Sequence, residues 1–331
     1  MLRLSSDITI GNANFNFVND VEVVSSWENL TDTARIVLPN NIRPKDKEGE
    51  LSYDITAGDQ SLWKRGQAVE INLGYDDNNT NVFSGVITKI SPRKPLEFLC
   101  EDKMFILKQT TIDKFSEIGV TLKSLLSAIM PTTIGYETED IKLGKFIISK
   151  ASIAEVLDYL RKKFGLFSYF IPNGKLYVGF AYRTASLDEI STGKIIEFEF
   201  QKNIIDDSQL EYTRQDDINL KVTAINILPN NTRKSITVGD SLGENRVLHF
   251  YDVTDNELKK LATEALEKLK YEGFLGSFLT FLQPTVRQGN AIKMIDPTIP
   301  DRNGVYLVRR VVTRFGMSGG RQEITLDRKI S

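Results

Sequence analysis

Cysteine and histidine are almost absent from this chain of 331 residues, which has one of each, Cys100 and His249. A single cysteine excludes an internal disulfide and a cysteine-rich metal site. A single histidine excludes the paired-histidine motif of zinc proteases. We interpret Cys100 as a buried strand residue, and His249, in a predicted strand at 247–251, as a structural or interface residue.

Long apolar runs and a strong net charge are also missing. The longest apolar stretch, residues 274–282, is interrupted by Gly276, Ser277 and Thr280 and is far shorter than the ~20 residues that a membrane-spanning helix needs. Residues 1–7 lack the apolar core of a signal peptide. The net charge of −2 gives no electrostatic reason to expect nucleic-acid binding. We therefore predict a protein made in a reducing cytosol, with no signal peptide and no membrane insertion.

Motifs that would carry chemistry are weak. None of the Gly-Lys pairs has the glycine five positions earlier that a phosphate-binding loop requires. Residues 76–80 lack the glycine and the terminal glutamate of an EF-hand, and we interpret them as a hairpin loop. Neighbouring acids could serve a glycosidase, and the candidates are Asp206, Asp207, Asp216, Asp217, Glu137, Glu139 and Asp140. Because such acids in polar stretches normally solvate loops, we predict no enzyme and no catalytic, cofactor-binding or metal-binding residue.

Residues 1–105 predict a β domain. Apolar residues alternate with polar ones, which indicates strands with one buried face, at Phe15, Phe17, Val21, Val23, Ala34, Ile36 and Leu38, and over residues 68–73 and 82–90. Residues 39–60 have few apolar positions and predict a long exposed loop, which in a compact domain is usually functional or disordered.

Residues 106–195 predict a small α+β domain. Apolar residues at helical spacing favour a helix over 121–130, and Pro131 should end it. Ser152 and Glu155 form a predicted capping box for a second helix. The segment after that helix contains an Asn-Gly pair, which is typical of a tight turn, and predicts a hairpin of residues 166–171 and 175–180.

Residues 196–331 predict a second β domain with one helix, residues 255–271. Strands are indicated at 195–200, 208–214, 220–228, 234–238, 246–251, 273–281 and 322–326. Thr254 and Glu257 form a capping box at the start of the helix. The apolar stripe of the helix is narrow, so we expect it to lie on a sheet or on a partner. The predicted order of domains is β, α+β, β.

One short element occurs twice in the chain, about 220 residues apart. Residues 64–71, Lys-Arg-Gly-Gln-Ala-Val-Glu-Ile, match residues 287–294, Arg-Gln-Gly-Asn-Ala-Ile-Lys-Met. A polar loop then leads to a second strand, for which we align Gly85-Val86 with Gly304-Val305. The spacing differs only in the loop, where insertions are tolerated. Two related β modules predict an architectural protein in which one subunit occupies two equivalent positions.

The second copy and its surroundings carry a resemblance to a protein family. The residues concerned are 282–297, 301–308 and 315–324, together with 26–32 and 62–66. They are similar to the baseplate hub proteins of bacteriophage tails, the late control gene D family. That family is related to the trimeric hubs of contractile tails and to the base of type VI secretion spikes. The order of the motifs around a central α+β domain is more specific than any one of them.

The resemblance implies two tube-like β-barrel domains flanking a small α+β domain, and a homotrimer whose six barrels form a ring. Such a ring is a structural adaptor that caps the hexameric tail tube and seats the trimeric central spike. Baseplate wedge and tape-measure proteins are further implied partners, and DNA would pass through the lumen without specific binding. The implied location is the virion tail of a phage, or a phage-derived injection device, assembled in the bacterial host cytoplasm.

Two alternatives stay open. One is a tail-associated cell-wall hydrolase, which requires a pocket of acids and aromatic residues. The other is a receptor-binding tail protein, which is also β-rich and trimeric and would expose aromatic residues at loop tips.

Overall fold

A computed structural model describes residues 3–39, 41–42, 55–56, 63–91, 95–171, 174–180, 195–214, 218–228, 232–270 and 272–330. Most of these residues lie in β-strands. The predicted mostly-β fold class is therefore confirmed.

One sheet of 13 strands contains both ends of the chain. Its N-terminal strands are β1 (Leu4–Ile10), β2 (Ala13–Phe15), β3 (Asp20–Ser26), β4 (Thr33–Leu38), β7 (Ala68–Tyr75), β8 (Asn78–Ser91) and β9 (Leu96–Glu101). Its C-terminal strands are β15 (Ile196–Glu199), β16 (Ile204–Thr213), β20 (Gly273–Thr280), β21 (Ala291–Ile295), β22 (Gly304–Gly316) and β23 (Gly319–Lys329). A separate pair, β5 (Asn41–Ile42) and β6 (Ile55–Thr56), lies inside the predicted long loop, most of which is outside the described residues.

The two halves of this sheet have the same strand order. We define the first module as β1, β3, β4, β7, β8 and β9, and the second module as β15, β16, β20, β21, β22 and β23. In chain order, the second strand of each module pairs with the third, the third with the sixth, the sixth with the fifth, and the fifth with the fourth. The fourth then pairs with the first, antiparallel for β7 and β1 but parallel for β21 and β15. Five shared pairings support a duplicated module.

The repeated glycine turns have matching hydrogen bonds. In the first module the N–H of Gly66 donates to the Ile87 carbonyl at 2.8 Å, and the Ile87 N–H donates to the residue after the glycine at 2.9 Å. Gly289 and Val308 make the same two bonds in the second module, at 2.8 and 2.9 Å. In both turns the residue after the glycine also accepts, through its side chain, from the amide three residues earlier.

These bonds correct the predicted alignment of the second strands. With Ile87 matched to Val308, Gly85 corresponds to Tyr306 and not to Gly304, a shift of two residues. The strand register shifts between positions 87 and 89 in the first module and between positions 308 and 310 in the second. These shifts also match Ile87 with Val308. A shift of two keeps each side chain on its face of the sheet, so apolar alternation alone could not detect it.

Alanine substitutions should distinguish the two glycine turns. Gly66 and Gly289 have φ values of 85° and 80°, which strain any residue with a Cβ. A Cβ at position 66 meets no atom within 4 Å, whereas one at position 289 lies 3.0 Å from the Tyr169 hydroxyl. We expect Gly66→Ala to lower the free energy of unfolding by about 1 kcal/mol and Gly289→Ala to lower it further, as measured by urea denaturation. Equal losses would contradict the contribution of Tyr169.

Each module has its own apolar core, but the cores are not independent. The first is centred on residues such as Phe98, and the second on Phe278 and Tyr306. Leu282 and Phe315, both from the second module, pack into the first core. The two modules therefore share apolar burial across their junction.

One prediction for the first strands is wrong. Phe15 is buried at the end of β2, but Phe17 is 43% exposed in the segment before β3. The chain leaves the sheet between them, so the two rings do not share one buried face.

A separate core organises the middle of the chain. Its elements are α1 (Met104–Gln109), β10 (Thr111–Thr121), α2 (Leu122–Ile129), β11 (Tyr136–Thr138), β12 (Lys142–Ser152), α3 (Ile153–Phe164), β13 (Phe167–Phe170) and β14 (Leu176–Gly179). The capping box is confirmed: Ser152 Oγ accepts from the Glu155 N–H at 3.2 Å, and Glu155 Oε2 accepts from the Ser152 N–H at 2.7 Å. Gly165 ends α3 with φ of 67°. The strands β10 and β12 and the helix α1 were not predicted.

Three strands expected in the second β domain form a separate sheet. They are β17 (Leu220–Ile227), β18 (Arg233–Gly239) and β19 (Glu244–Tyr251), and α4 (Asp255–Leu269) packs on them. Leu258 and Ala262 of α4 are buried against Val222 and Ala224. This unit is inserted between β16 and β20, and α4 lies on a sheet as its narrow apolar stripe predicts.

Candidate subunit interface

The junction between the modules is a strand pair. The C-terminal part of β22 pairs antiparallel with β3, from Arg310 opposite Ser26 to Gly316 opposite Asp20. In this part β22 has turned away from β21, which pairs only with its first residues. The fifth strand of the second module is therefore joined to the second strand of the first module.

Side chains reinforce this junction. Arg314 lies across it, with its guanidinium 3.0 Å from the Glu22 carboxylate and 2.9 Å from the Glu323 carboxylate. Because these groups are partly exposed, such pairs contribute little stability, about 0.5 kcal/mol each. The apolar contact is larger, since Phe315 pairs opposite Val21 and is buried in the first core. The junction thus combines a hydrogen-bonded ladder with burial of the neighbouring module's side chains.

Each module also has an unpaired strand edge that corresponds to one of the two strands of this junction. The outer edge of β16 is the counterpart of the β3 edge, and it pairs with no strand in the described part of the chain. Residues 89–91 of β8 are the counterpart of the first residues of that β22 segment, and on that edge they likewise have no described partner strand. One chain therefore holds one completed junction and the two halves of another.

A groove of about 620 Å³ opens beside the free edge of β16. Its lining is partly apolar and comes from Phe200, Gln201, Ile204, Ile205, Asp207, Leu210, Tyr212, Phe274, Asp296, Thr298, Ile299 and Arg302. In the first module, the core beside the equivalent strand β3 is closed by Leu282 and Phe315. The groove in the second module thus corresponds to the place in the first module that Leu282 and Phe315 fill.

Aromatic contacts define the end of the groove. The Tyr212 ring packs against Phe274 at 5.1 Å between centroids and lies under the Arg302 guanidinium at 5.2 Å. The Tyr212 hydroxyl donates to Glu272 at 2.8 Å. Burial and the nearby Glu272 carboxylate raise the pKa of Tyr212 to about 12, so the phenol remains protonated. The groove wall is therefore pre-formed.

The two free edges carry complementary charge. Three exposed acids, Asp206, Asp207 and Glu211, lie along β16. The β8 edge carries the exposed Lys89, and in the sequence Arg93 and Lys94 follow shortly after. Opposite charges on surfaces that meet favour association and suppress wrong pairings.

The catalytic candidates that the structure describes do not converge. Asp206 and Asp207 lie on the exposed strand β16, and Glu137 is 3.5 Å from Lys175 in the middle of the chain. Asp216 and Asp217 lie outside the described residues. Among those that are described, no group of three or more histidine, cysteine, aspartate or glutamate side chains could hold a metal ion.

The remaining predicted positions lie in strands and in a turn. Cys100 is buried in β9, which raises the pKa of its thiol to about 12, and His249 is exposed on β19. Asp76 and Asp77 form the tight turn between β7 and β8, and both contact Arg3. The letters Gly-x-Ser-x-Gly occur at 239–243 and 316–320, but each lies between two strands and not at the strand-to-helix turn that a nucleophile requires.

The described helices are too short or too polar to span a bilayer. The sequence matches no protein-family model. It also matches no curated protein.

The fold is shared with solved tail proteins over almost the whole chain. A tail protein from Neisseria meningitidis is 15% identical with a TM-score of 0.65, and the match covers 98% of this chain and 97% of that one. The 43 kDa tail protein of prophage MuSo2 from Shewanella oneidensis is 14% identical, with a TM-score of 0.60 and 98% coverage of both chains. An Escherichia coli type VI secretion component, described as structurally similar to the T4 tail proteins gp27 and gp5, is 10% identical. Its TM-score is 0.57, with 98% of this chain and 77% of that chain covered.

These similarities agree with the resemblance found in the sequence motifs. The protein has the fold of phage tail proteins and of a related type VI secretion component.

Proposed function

We propose that this chain is the baseplate hub of a phage tail or of a phage-derived injection device. Three copies would form a ring that joins the hexameric tail tube to the trimeric central spike. The observation that carries the proposal is the duplicated module, because one chain contains one completed module junction and both halves of a second. Complementary halves on one subunit favour a closed ring of copies.

The completed junction predicts the register of the contact between copies. Val312 of β22 pairs with Val24 of β3. By the module equivalence, Val312 corresponds to Ser91 and Val24 corresponds to Glu211. Ser91 of one copy should therefore lie opposite Glu211 of the next. Repeating this contact alternates first and second modules around the ring, so three chains supply six similar positions for a sixfold partner.

The resemblance to phage hub proteins supplies the further parts of the proposal. Residues 1–105 and 196–331 would each close into a tube-like barrel in the ring, and residues 106–195 would decorate its outer side. The tube, the spike, the baseplate wedge and the tape-measure protein would be its partners. DNA would pass through the lumen without specific binding, which the net charge of −2 favours because bound phosphates require basic partners. The role is structural and not enzymatic, and the location is the virion tail.

The ring can be tested by mass and by a disulfide at the predicted register. Light scattering should give three times 37.4 kDa, and negative-stain images should show rings. Directly opposed antiparallel residues have Cα atoms about 4.5–5.5 Å apart, which suits a disulfide. Ser91→Cys with Glu211→Cys should therefore yield a covalent trimer on non-reducing gels.

A mismatched pair is the control for that experiment. Ser91→Cys with Asp206→Cys moves the second cysteine by five residues, which an irregularity in β16 reduces to four positions of the ladder, about 13 Å. This pair should give no covalent trimer. Oxidation of both pairs with equal efficiency, or a monomer in solution even with the tube and spike proteins present, would reject the ring. A zymogram on cell wall tests the hydrolase alternative, and lysis there would favour it.

A further inference from the structure

One long edge of β12, in the middle of the chain, is unpaired. The strand pairs with β10 along its other edge, and the two form a sheet of their own. In the described part of the chain, no other hydrogen bond reaches the main chain of residues 143–147. An antiparallel ladder uses the N–H and C=O groups of every second residue. The groups of the alternate residues of β12 therefore face outward along the free edge.

A groove of about 570 Å³ follows this free edge. Six consecutive residues of β12, 142–147, line it. Because successive side chains point to opposite faces of a strand, a run of consecutive residues places the groove along the edge of β12 and not over one face. The remaining lining comes from α3, at Tyr159, Lys163 and Phe164, and from the ends of β17 and β19, at residues 227–228 and 251–252. An extended segment in the groove would reach the free main-chain groups of β12.

Aromatic rings form the side of the groove. The Phe164 ring packs against Tyr251 at 6.0 Å between centroids and against Tyr159 at 6.3 Å. Tyr159 is 45% exposed and Tyr251 is 43% exposed, and Ile147 on β12 is 61% exposed. Apolar side chains that are exposed together beside one groove mark an interaction site. The groove thus offers apolar surface next to an open strand edge.

The groove is also cationic. Lys142, Lys145 and Lys163 are exposed, and among the described residues that line the groove only Asp252 is acidic. In the described ranges, none of these lysines forms an ion pair within 4.0 Å. Lys163 Nζ lies 5.4 and 5.6 Å from the centroids of two aromatic rings of α3. Three positive charges therefore remain available to an acidic partner.

We propose that the free edge of β12 binds an extended acidic segment of another protein as an added strand. Main-chain hydrogen bonds to β12 hold the segment, as in other complexes formed by strand addition. Its acids face Lys142, Lys145 and Lys163, and its apolar side chains contact Tyr159 and Tyr251. The site lies outside the two modules, so binding requires neither the ring nor a role in a tail.

The charge and the open edge together select this occupant over two others. Lysines along an edge strand disfavour pairing with a second copy of the same edge, whereas they favour an acidic strand. Single-stranded nucleic acid also binds cationic grooves with aromatic rings, but it does not pair with a strand edge as a peptide main chain does. The unpaired N–H and C=O groups of β12 therefore favour a peptide.

Selection of a displayed library of random linear peptides on the purified full chain tests the proposal. Enriched peptides should be acidic, with apolar residues at alternate positions, and their binding should weaken with added salt. Lys145→Glu should weaken a selected peptide by about fivefold to tenfold, because it replaces an exposed ion pair with a contact between like charges. Lys114→Glu, at an exposed lysine of β10 outside the groove lining, is the matched control and should leave binding unchanged.

Methylation of the peptide main chain separates strand addition from simple charge attraction. The N–H groups of a strand point alternately to its two edges. Of two versions of a selected peptide, N-methylated at odd or at even positions, one should therefore lose binding and the other should keep it. Equal losses in the two versions, a library that enriches no acidic peptide, or tighter binding of oligothymidylate than of the selected peptide would overturn the proposal.

Discussion

Replacing Ile205 with glutamate should abolish trimer formation and leave the subunit folded. Ile205 lies on the free edge strand β16, is 40% exposed and lines the groove that the neighbouring copy is expected to cover. In the separate subunit, glutamate at this position can remain in water. In the ring it would be buried beside the carboxylate of Asp207, and an unpaired buried charge costs several kcal/mol.

The expected effect on assembly is large. A cost of about 3 kcal/mol at each contact weakens that contact by more than about a hundredfold, and a closed ring of three copies repeats it three times. Sedimentation analysis should therefore change from trimer to monomer, while circular dichroism and the urea midpoint of the subunit stay the same.

Leu242→Glu is the matched control for this experiment. Leu242 is 98% exposed, but it lies in the turn between β18 and β19, away from the groove. This variant should remain a trimer. An Ile205→Glu trimer of unchanged stability would place the contact between copies elsewhere on the molecule.

Replacing Gln322 with leucine should lower the free energy of unfolding by roughly 3–5 kcal/mol, because buried polar groups without partners each cost about 1–3 kcal/mol. Gln322 is 1% exposed, and its Nε2 donates to the carbonyls of Phe281, Leu282 and Pro284 at 2.8 to 3.0 Å. Its Oε1 accepts from the Val286 N–H at 3.0 Å. One side chain therefore satisfies the backbone of a whole irregular segment.

That segment, which joins β20 to β21, matters because it packs against the first module. It carries Leu282 into the first core, where the Leu282 N–H lies 3.4 Å from the Tyr75 hydroxyl. Loss of the Gln322 bonds should therefore loosen the junction as well as the second module. Urea denaturation measures the total effect, and hydrogen exchange at residues 281–286 locates it.

Two further variants, one at Gln322 and one at the nearby Gln283, serve as comparisons. Gln322→Glu keeps an acceptor for Val286 but loses both donors and buries a charge, so it should destabilise at least as much. Gln283→Leu removes a partly exposed side chain with a single bond to the Asn78 carbonyl and should cost less than about 1 kcal/mol. Similar losses for Gln322→Leu and Gln283→Leu would show that the buried amide does not hold the segment.

Local features were readable from the sequence wherever neighbouring residues define the structure. The Ser152–Glu155 and Thr254–Glu257 capping boxes and the apolar stripe of α2 depend on contacts within a few residues. Mostly-β architecture followed from alternation, because side chains point to opposite faces of a strand in turn. The repeat itself was visible because both turns need the same glycine, at Gly66 and Gly289.

The tertiary structure alone decided which strands meet. The pairing of β22 with β3 has no local signal, since it joins segments far apart in the chain. The strands β17, β18 and β19 are neighbours in the chain, but nothing local indicates that they form a sheet of their own. Asp32, Asp102 and Gln288 carry no signal in the sequence, and their hydrogen bonds form only when three regions of the fold converge. The spacing of apolar residues and the preference of certain residues for turns act over a few positions. Strand order, burial and the resulting electrostatics depend on the whole folded chain.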